Sequence, residues 1–152
     1  MARFISDNFM TARLHVKEQA ADFKRVGARF GAQWTPTILL LDPDGTERHR
    51  IEGFLPADDF LAQLKLGLAK IAFKREDWKT AEKWFREIVD RHADADAAPE
   101  ALYWAGVSRY KGSGDGSALG QTAQAFSQKY QSSTWAKKAS VWAPAQKSER
   151  RA

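Results

Sequence analysis

The chain has 152 residues, a formal net charge of +5 and no cysteine. The absence of thiols excludes disulfides, cysteine nucleophiles, redox dithiols and zinc sites with sulfur ligands. Most of the positive excess falls in residues 137–152, which hold five basic residues and one acidic residue. Because a basic terminus is not a basic stripe on a folded face, this distribution argues against a nucleic-acid partner.

Nothing in the sequence predicts a membrane segment or an export signal. No apolar run approaches the roughly 20 residues that cross a bilayer. The N-terminus, which carries Arg3 and Asp7, lacks the apolar core of a signal peptide. We therefore expect no membrane association, and a cytoplasmic location by default, with the compartment otherwise unknown.

The first part of the chain predicts a mixture of strands and a helix. Apolar and polar residues alternate over Phe9–Val16, which predicts a strand, and Lys17–Phe30 has the periodicity of an amphipathic helix. The apolar run Ile38–Leu41 predicts a buried strand. The Asp-Pro-Asp-Gly turn at 42–45 predicts an antiparallel return over Thr46–Gly53.

The second part of the chain predicts helices joined by short turns. A helix is expected from Pro56, with strand signals absent after about residue 64. Four later helices are predicted. One begins after a cap at Asp77, and the others span Ala101–Tyr110, Thr122–Tyr130 and Ser132–Trp142.

The polar residues predict no catalytic or metal-binding group. The three histidines lie in separate predicted elements, without a second ligand at metal-binding spacing. The acidic pairs Asp58-Asp59 and Glu76-Asp77 occupy helix starts, where they complement the helix dipole. The sequence therefore predicts no catalytic residue, no cofactor and no metal ion.

Aromatic residues are the more informative feature of the helical part. The chain has six tryptophans, five of them after residue 64. Packing between helices accounts for them simply, and the alternative is an aromatic groove that binds a peptide. The residues expected to line such a groove are Trp84, Trp104 and Tyr110.

Three features follow one another in the chain: Trp34-Thr35-Pro36-Thr37, the apolar strand after it and the turn at 42–45. With these features, residues 9–62 resemble the C-terminal two-thirds of a thioredoxin fold. The resemblance implies a cis bond before Pro36 and a Thr35 backbone that pairs with an extended substrate segment. Trp34 stands where relatives usually have a small residue. The expected peptide-binding residues are therefore Trp34, Thr35 and Pro36.

The strand and Cys-x-x-Cys helix with which thioredoxins begin are missing, and Met1–Asn8 resembles only the tail of that helix. The missing strand would lie between Phe9–Val16 and Ile38–Leu41, which leaves an incomplete sheet of about three strands. Three outcomes stay open: the strands close the gap, the open edges recruit another segment or a second copy, or the chain is the later part of a longer product.

Residues 64–143 resemble tetratricopeptide-like helix pairs. Asp77-Trp78, Ala81 and Phe85 have the spacing of one unit, and Gly106 with Tyr110 begins an approximate, lengthened second unit. The resemblance implies a concave surface that faces protein partners.

The predicted fold class is α/β followed by all-α. It comprises a truncated thioredoxin-like domain at 1–63, a tetratricopeptide-like helical segment at 64–143 and a basic disordered tail at 144–152. The expected function is redox-inactive protein or peptide binding through the proline loop and the helical groove. Two alternatives remain: the C-terminal portion of a thiol–disulfide oxidoreductase whose dithiol lies upstream, and a structural adaptor in which the proline loop is only scaffold.

Overall fold

The structure, a computed structural model, describes residues 1–144, so the predicted basic tail lies almost entirely outside the described residues. It forms two compact units, Met1–Ala57 and the chain from Asp58 onward. The elements are α1 (Ala2–Asn8), α2 (Ala20–Phe30), β1 (Thr37–Leu41), β2 (Glu47–Glu52), α3 (Ala57–Lys74), α4 (Trp78–Arg91), α5 (Ala97–Ser113), α6 (Ser117–Gln128), α7 (Thr134–Ala139) and a 3₁₀ turn (Ser140–Trp142).

The strand predicted over Phe9–Val16 is wrong, and the sheet within residues 1–144 has two strands rather than three. Residues 9–15 have no regular structure, and residues 16–19 form a turn. Alternation produces a strand only where a neighbouring strand supplies backbone partners and the apolar face is covered. Here Met10 is 100% exposed and Val16 is 41% exposed, so that face is uncovered.

The predicted hairpin is present. β1 and β2 pair antiparallel, with Ile38 opposite Ile51, and a bulge interrupts the register between Leu40 and Leu41. The Gly45 N–H donates to the Asp42 carbonyl at 2.8 Å, and Gly45 has a φ of 82°, which glycine adopts without strain. The turn residues therefore specify both the reversal and the bulge.

Small and aliphatic side chains form the core of the second unit. Alanines from α3, α4 and α5 lie in one buried cluster with Leu66, Phe85 and Ile88. Small side chains allow helices to approach closely, and the larger ones fill the space between them. Within the described residues, no helix is both long and apolar enough to cross a bilayer.

Two helices begin earlier than their periodicity predicts. Helix α5 starts at Ala97, not Ala101, because Pro99 lies in the first turn, where its missing N–H has no intrahelical partner to lose. Helix α6 likewise starts at Ser117 rather than Thr122. The predicted Asp77 cap is confirmed, since its carboxylate accepts from the Thr80 N–H at 3.1 Å.

Candidate functional site

The loop between α2 and β1 carries the predicted peptide-binding residues. Gly31, with a φ of 61°, ends α2 in the left-handed conformation. Trp34 is 69% exposed, Thr35 and Pro36 are also exposed, and the bond between Thr35 and Pro36 is cis. The hydroxyl of Thr37 donates to the Trp34 carbonyl at 2.6 Å and so closes the loop.

The backbone of Thr35 is open to solvent. Among residues 1–144, neither its N–H nor its carbonyl has a hydrogen-bond partner. On the next residue, the Pro36 carbonyl accepts from the Gly53 N–H at 2.8 Å and joins the loop to the β2 side of the hairpin. The N–H and carbonyl of Thr35 are therefore exposed backbone groups that are available for hydrogen bonding just before β1 begins.

One edge of β1 continues this open backbone. Backbone groups alternate in direction along an antiparallel strand, and Pro36 bonds towards β2. The backbone N–H and carbonyl groups of Ile38 and Leu40 consequently point towards β2. Those of Thr37 and Leu39 point away from it. No described strand pairs with that edge.

Charge is distributed unevenly over the hairpin. Every residue of β1 is uncharged, whereas on β2 the Arg50 guanidinium lies 2.8 Å from Glu47 and 3.0 Å from Glu52. The hydrogen bond from Arg50 holds the pKa of Glu47 below its usual value. Arg50 also donates to the Phe30 carbonyl, which ties β2 to the end of α2. Charged side chains discourage strand addition, so β1 is the less protected edge.

A second candidate surface lies in the helical unit and is called here the aromatic face. Its rings are each partly buried and form one continuous chain of contacts. Phe73 packs edge-on against both Trp78 and Trp104, with 5.0 Å between ring centroids in each case. The ring centroid of Tyr103 lies 5.3 Å from that of Trp104, 5.2 Å from that of Trp135 and 4.6 Å from that of Trp142. The aromatic face comprises Phe73, Trp78, Tyr103, Trp104, Trp135 and Trp142.

Two exposed lysines border the aromatic face. The Lys111 ammonium lies 5.6 Å from the Trp78 ring centroid, and the Lys138 ammonium lies 4.0 Å from that of Trp135. These are cation–π distances. Neither ammonium is paired with a carboxylate in the part of the chain that the structure describes. Both charges therefore face solvent beside apolar rings.

Of the three residues expected to line a groove, Trp104 lies in the aromatic face. Tyr110 follows it by six positions on α5, and Trp84 follows Trp78 by six positions on α4. At about 100° per residue, such spacing places each pair on different sides of its helix. Trp84 packs against the core, and Tyr110 is 39% exposed. A shared groove of all three residues stays a prediction.

The sequence interpretation missed that most of the tryptophans meet on this face. A local signal was present on the last helix, because Lys138 and Trp142 follow Trp135 by three and seven positions and so share one side. Phe73 and Trp104 are in contact although they are 31 positions apart in the sequence, and the spacing of residues within one helix cannot predict such a contact.

A buried polar network joins α3 to the end of α4. The Lys65 ammonium lies 2.8 Å from Glu87 and 2.9 Å from His92 Nε2, and His92 Nδ1 lies 2.7 Å from Asp58. Because an ammonium only donates, His92 accepts at Nε2 and donates its Nδ1–H to Asp58. Lys65 and His92 are 5% and 6% exposed, whereas the Asp58 side chain is 66% exposed, so the network has a buried centre that stabilises the helix pair.

Apart from those of Glu47 and Arg50 on β2, the shifted pKa values belong to carboxyl groups at turns and helix caps. The Thr46 N–H, donating to Asp44 at 2.8 Å, lowers the pKa of that carboxyl, and bonds from Ser117 do the same for Asp115. Each of these groups organises its own loop. No cluster of histidine and carboxylate side chains within residues 1–144 has the arrangement of a metal site.

The first unit thus combines a helix ended by glycine, a proline loop and an antiparallel hairpin. Residues 2–67 match a family model described as a thioredoxin-like domain. The match supports a thioredoxin-like fold for this part of the chain and leaves the later helices unassigned. Neither the curated proteins nor the solved structures contain a match to the chain.

Proposed function

We propose that this chain is a redox-inactive thioredoxin-like protein that binds an extended protein or peptide segment. The observation that carries the proposal is the exposed, unpartnered backbone of Thr35, which leads into the unpaired edge of β1. Backbone hydrogen bonds at such an edge can hold an extended chain, and adjacent side chains supply specificity. With no cysteine present, the bound segment is held without a covalent bond.

The residues of the loop have distinct roles in this proposal. The N–H and carbonyl of Thr35, and those of Thr37 and Leu39, pair with the backbone of the bound segment. Trp34 is 69% exposed and supplies apolar contact area beside them. Pro36 has no N–H, and its carbonyl already accepts from Gly53, so it keeps the loop attached to the hairpin.

Selection of a random 12-residue peptide library on the immobilised full chain tests this proposal. We expect saturable binding that Trp34→Ala weakens about thirtyfold, an effect of the size of one interface hot spot. Phe54→Ala is the matched control, because Phe54 is an exposed aromatic residue of the same unit, and it should leave binding unchanged. Bound peptide should also slow amide exchange at Thr35, Thr37 and Leu39.

Absence of saturable binding, or binding indifferent to Trp34→Ala, would overturn the proposal. The open edge of β1 could alternatively pair with a second copy of the chain, as expected from the sequence. Sedimentation velocity distinguishes this case: a dimer at micromolar concentration that protects the Leu39 amide would identify the second copy as the occupant.

We also propose that the helical unit acts as a tetratricopeptide-like partner surface that includes Trp84, Trp104 and Tyr110. The succession of short-linked helices α3 to α7 and the close contact of Gly106 with Thr122 support this proposal. Alanine substitution at Trp84 or Tyr110 should weaken a selected partner as much as Trp104→Ala does. An effect confined to Trp104→Ala would contradict a groove shared by the three residues.

One observation favours the second candidate, a thiol–disulfide oxidoreductase whose dithiol lies upstream. The open edge of β1 and the uncovered alternation over residues 9–16 are the two places where an additional strand would pair. The intact mass of the protein isolated from its source is decisive. A mass of 17.1 kDa would eliminate this candidate, and a larger product containing Cys-x-x-Cys would support it.

A further inference from the structure

We propose that the aromatic face binds an acidic peptide segment, whose carboxylates pair with Lys111 and Lys138 while its apolar side chains pack against the rings. The inference rests on the proposed role of the helical unit as a partner surface, because it names the chemistry of the segment that this unit binds. It concerns the helical unit alone and is independent of the loop at Trp34.

Charge complementarity is the first argument for an acidic partner. Near these rings, the Lys70 ammonium lies 2.8 Å from the Glu100 carboxylate, so the charges of these two residues neutralise each other. Lys70 precedes Phe73 by three positions and Glu100 precedes Trp104 by four, so the pair lies beside the two rings that touch. Lys111 and Lys138 are then the cations that remain without a carboxylate in the described part of the face.

Helices α5 to α7 and the 3₁₀ turn carry four of the six rings and have the same sign of charge, whereas residues 58–96 are close to neutral. Residues 97–142 contain five basic side chains and two acidic ones, and Glu100 is already paired. The other acid, Asp115, bonds to Ser117 at the start of α6. A second copy would therefore bring lysines against lysines, whereas an acidic segment finds an attractive field.

Ring geometry favours a peptide over a nucleic acid. Bases bind by stacking on open aromatic faces. Here a lysine ammonium lies over one face of Trp78 and another over one face of Trp135, and Tyr103 stacks on Trp142 with an interplanar angle of 26°. Phe73 meets its neighbours edge-on. The surface therefore suits side chains that pack against ring edges and carboxylates that reach the ammonium groups.

The test uses the full chain and three labelled 12-residue peptides in which leucine and phenylalanine alternate with glutamate, glutamine or lysine. A 12-nucleotide oligothymidine is the fourth probe. Fluorescence anisotropy should show the glutamate peptide binding at least tenfold more tightly than the glutamine peptide. Added salt should reduce that difference, because exposed charges are screened.

The variant Lys111→Gln/Lys138→Gln should abolish the preference for glutamate. Lys79→Gln/Lys137→Gln is the matched control, because it removes two exposed lysines that contact no ring, and it should keep the preference. Equal binding of the glutamate and glutamine peptides, or a preference that survives in the first variant, would overturn the inference.

The outcomes separate this inference from the proposed function. Binding that is indifferent to peptide charge and lost in Trp34→Ala would overturn the acidic partner and keep the proposed function. Tight oligothymidine binding that is lost in Lys111→Gln/Lys138→Gln would identify a nucleic-acid surface and overturn the inference. If none of the three peptides binds, the acidic partner is overturned, and the proposed function then depends on the library selection alone.

Discussion

At the scale of single residues, Gly106 shows how one position sets the distance between two helices. A Cβ atom at this position would lie 1.9 Å from the Thr122 hydroxyl oxygen and 2.8 Å from its Cβ. Thr122 is buried, and its hydroxyl donates to the Ala118 carbonyl, so it has little room to move. The absence of a side chain at Gly106 is therefore what allows α5 and α6 to pack so closely.

Gly106→Ala should consequently lower the free energy of unfolding by about 1–3 kcal/mol, the usual cost of overpacking a core. Urea denaturation followed by circular dichroism measures the change. Gly120→Ala, on α6, is the control, because its added Cβ would meet only an ordinary contact at 3.8 Å. A Gly106→Ala variant as stable as the Gly120→Ala variant would disprove the close-packing account.

The network around His92 is the second feature at this scale. Lys65→Met keeps the length of the side chain but leaves His92 Nε2 without its donor and Glu87 without its cation. An unsatisfied buried polar group costs about 1–3 kcal/mol. We expect a loss of that size in urea denaturation, and a smaller loss for Lys70→Met, whose pair with Glu100 is more exposed. Equal losses would contradict a buried network.

At the scale of elements, the start of α4 links charge to stability. The side chain and N–H of Thr80 bond to Asp77 and hold the pKa of this carboxyl below its ordinary value. A carboxyl with a lowered pKa in the folded state stabilises that state above its unfolded pKa. The contribution is lost as the pH falls through the folded pKa.

Asp77→Ala should therefore reduce stability at pH 7, and the difference from the parent chain should shrink as the pH falls below about 4. Ser133 caps α7 with an uncharged hydroxyl that accepts from Ala136 at 3.0 Å. Its replacement by alanine should cost about 1 kcal/mol at every pH. Thermal unfolding across pH 2–7 compares the two variants, and a pH-independent Asp77→Ala effect would refute the linkage.

The elements that sequence patterns predicted well are those whose ends carry local signals. Gly31 ends α2 and Asp77 begins α4, because each satisfies terminal backbone groups with atoms a few residues away. The hairpin follows in the same way from its turn residues. Helix α5 was predicted too short because Pro99 suggests an interruption, although a proline in the first turn interrupts nothing.

At the scale of the whole molecule, the missing thiols define the chemistry. Reduction of a disulfide requires a thiolate that attacks sulfur, and this chain has no cysteine. The purified 152-residue protein should leave insulin soluble in a dithiothreitol-limited turbidity assay, in which a thioredoxin serves as the positive control. Precipitation of insulin above the blank would refute a binding-only role.

The sequence by itself determined the exclusion of thiol chemistry, the hairpin and the helix ends at Gly31 and Asp77, because composition and local hydrogen bonding decide these properties. The tertiary structure alone decided that residues 9–16 do not form a strand, since a strand depends on a neighbour elsewhere in the chain. It also decided that His92 meets Asp58, 34 positions away, and that Phe73 meets Trp104. Contacts over such distances depend on how helices pack, and no spacing within one helix specifies them.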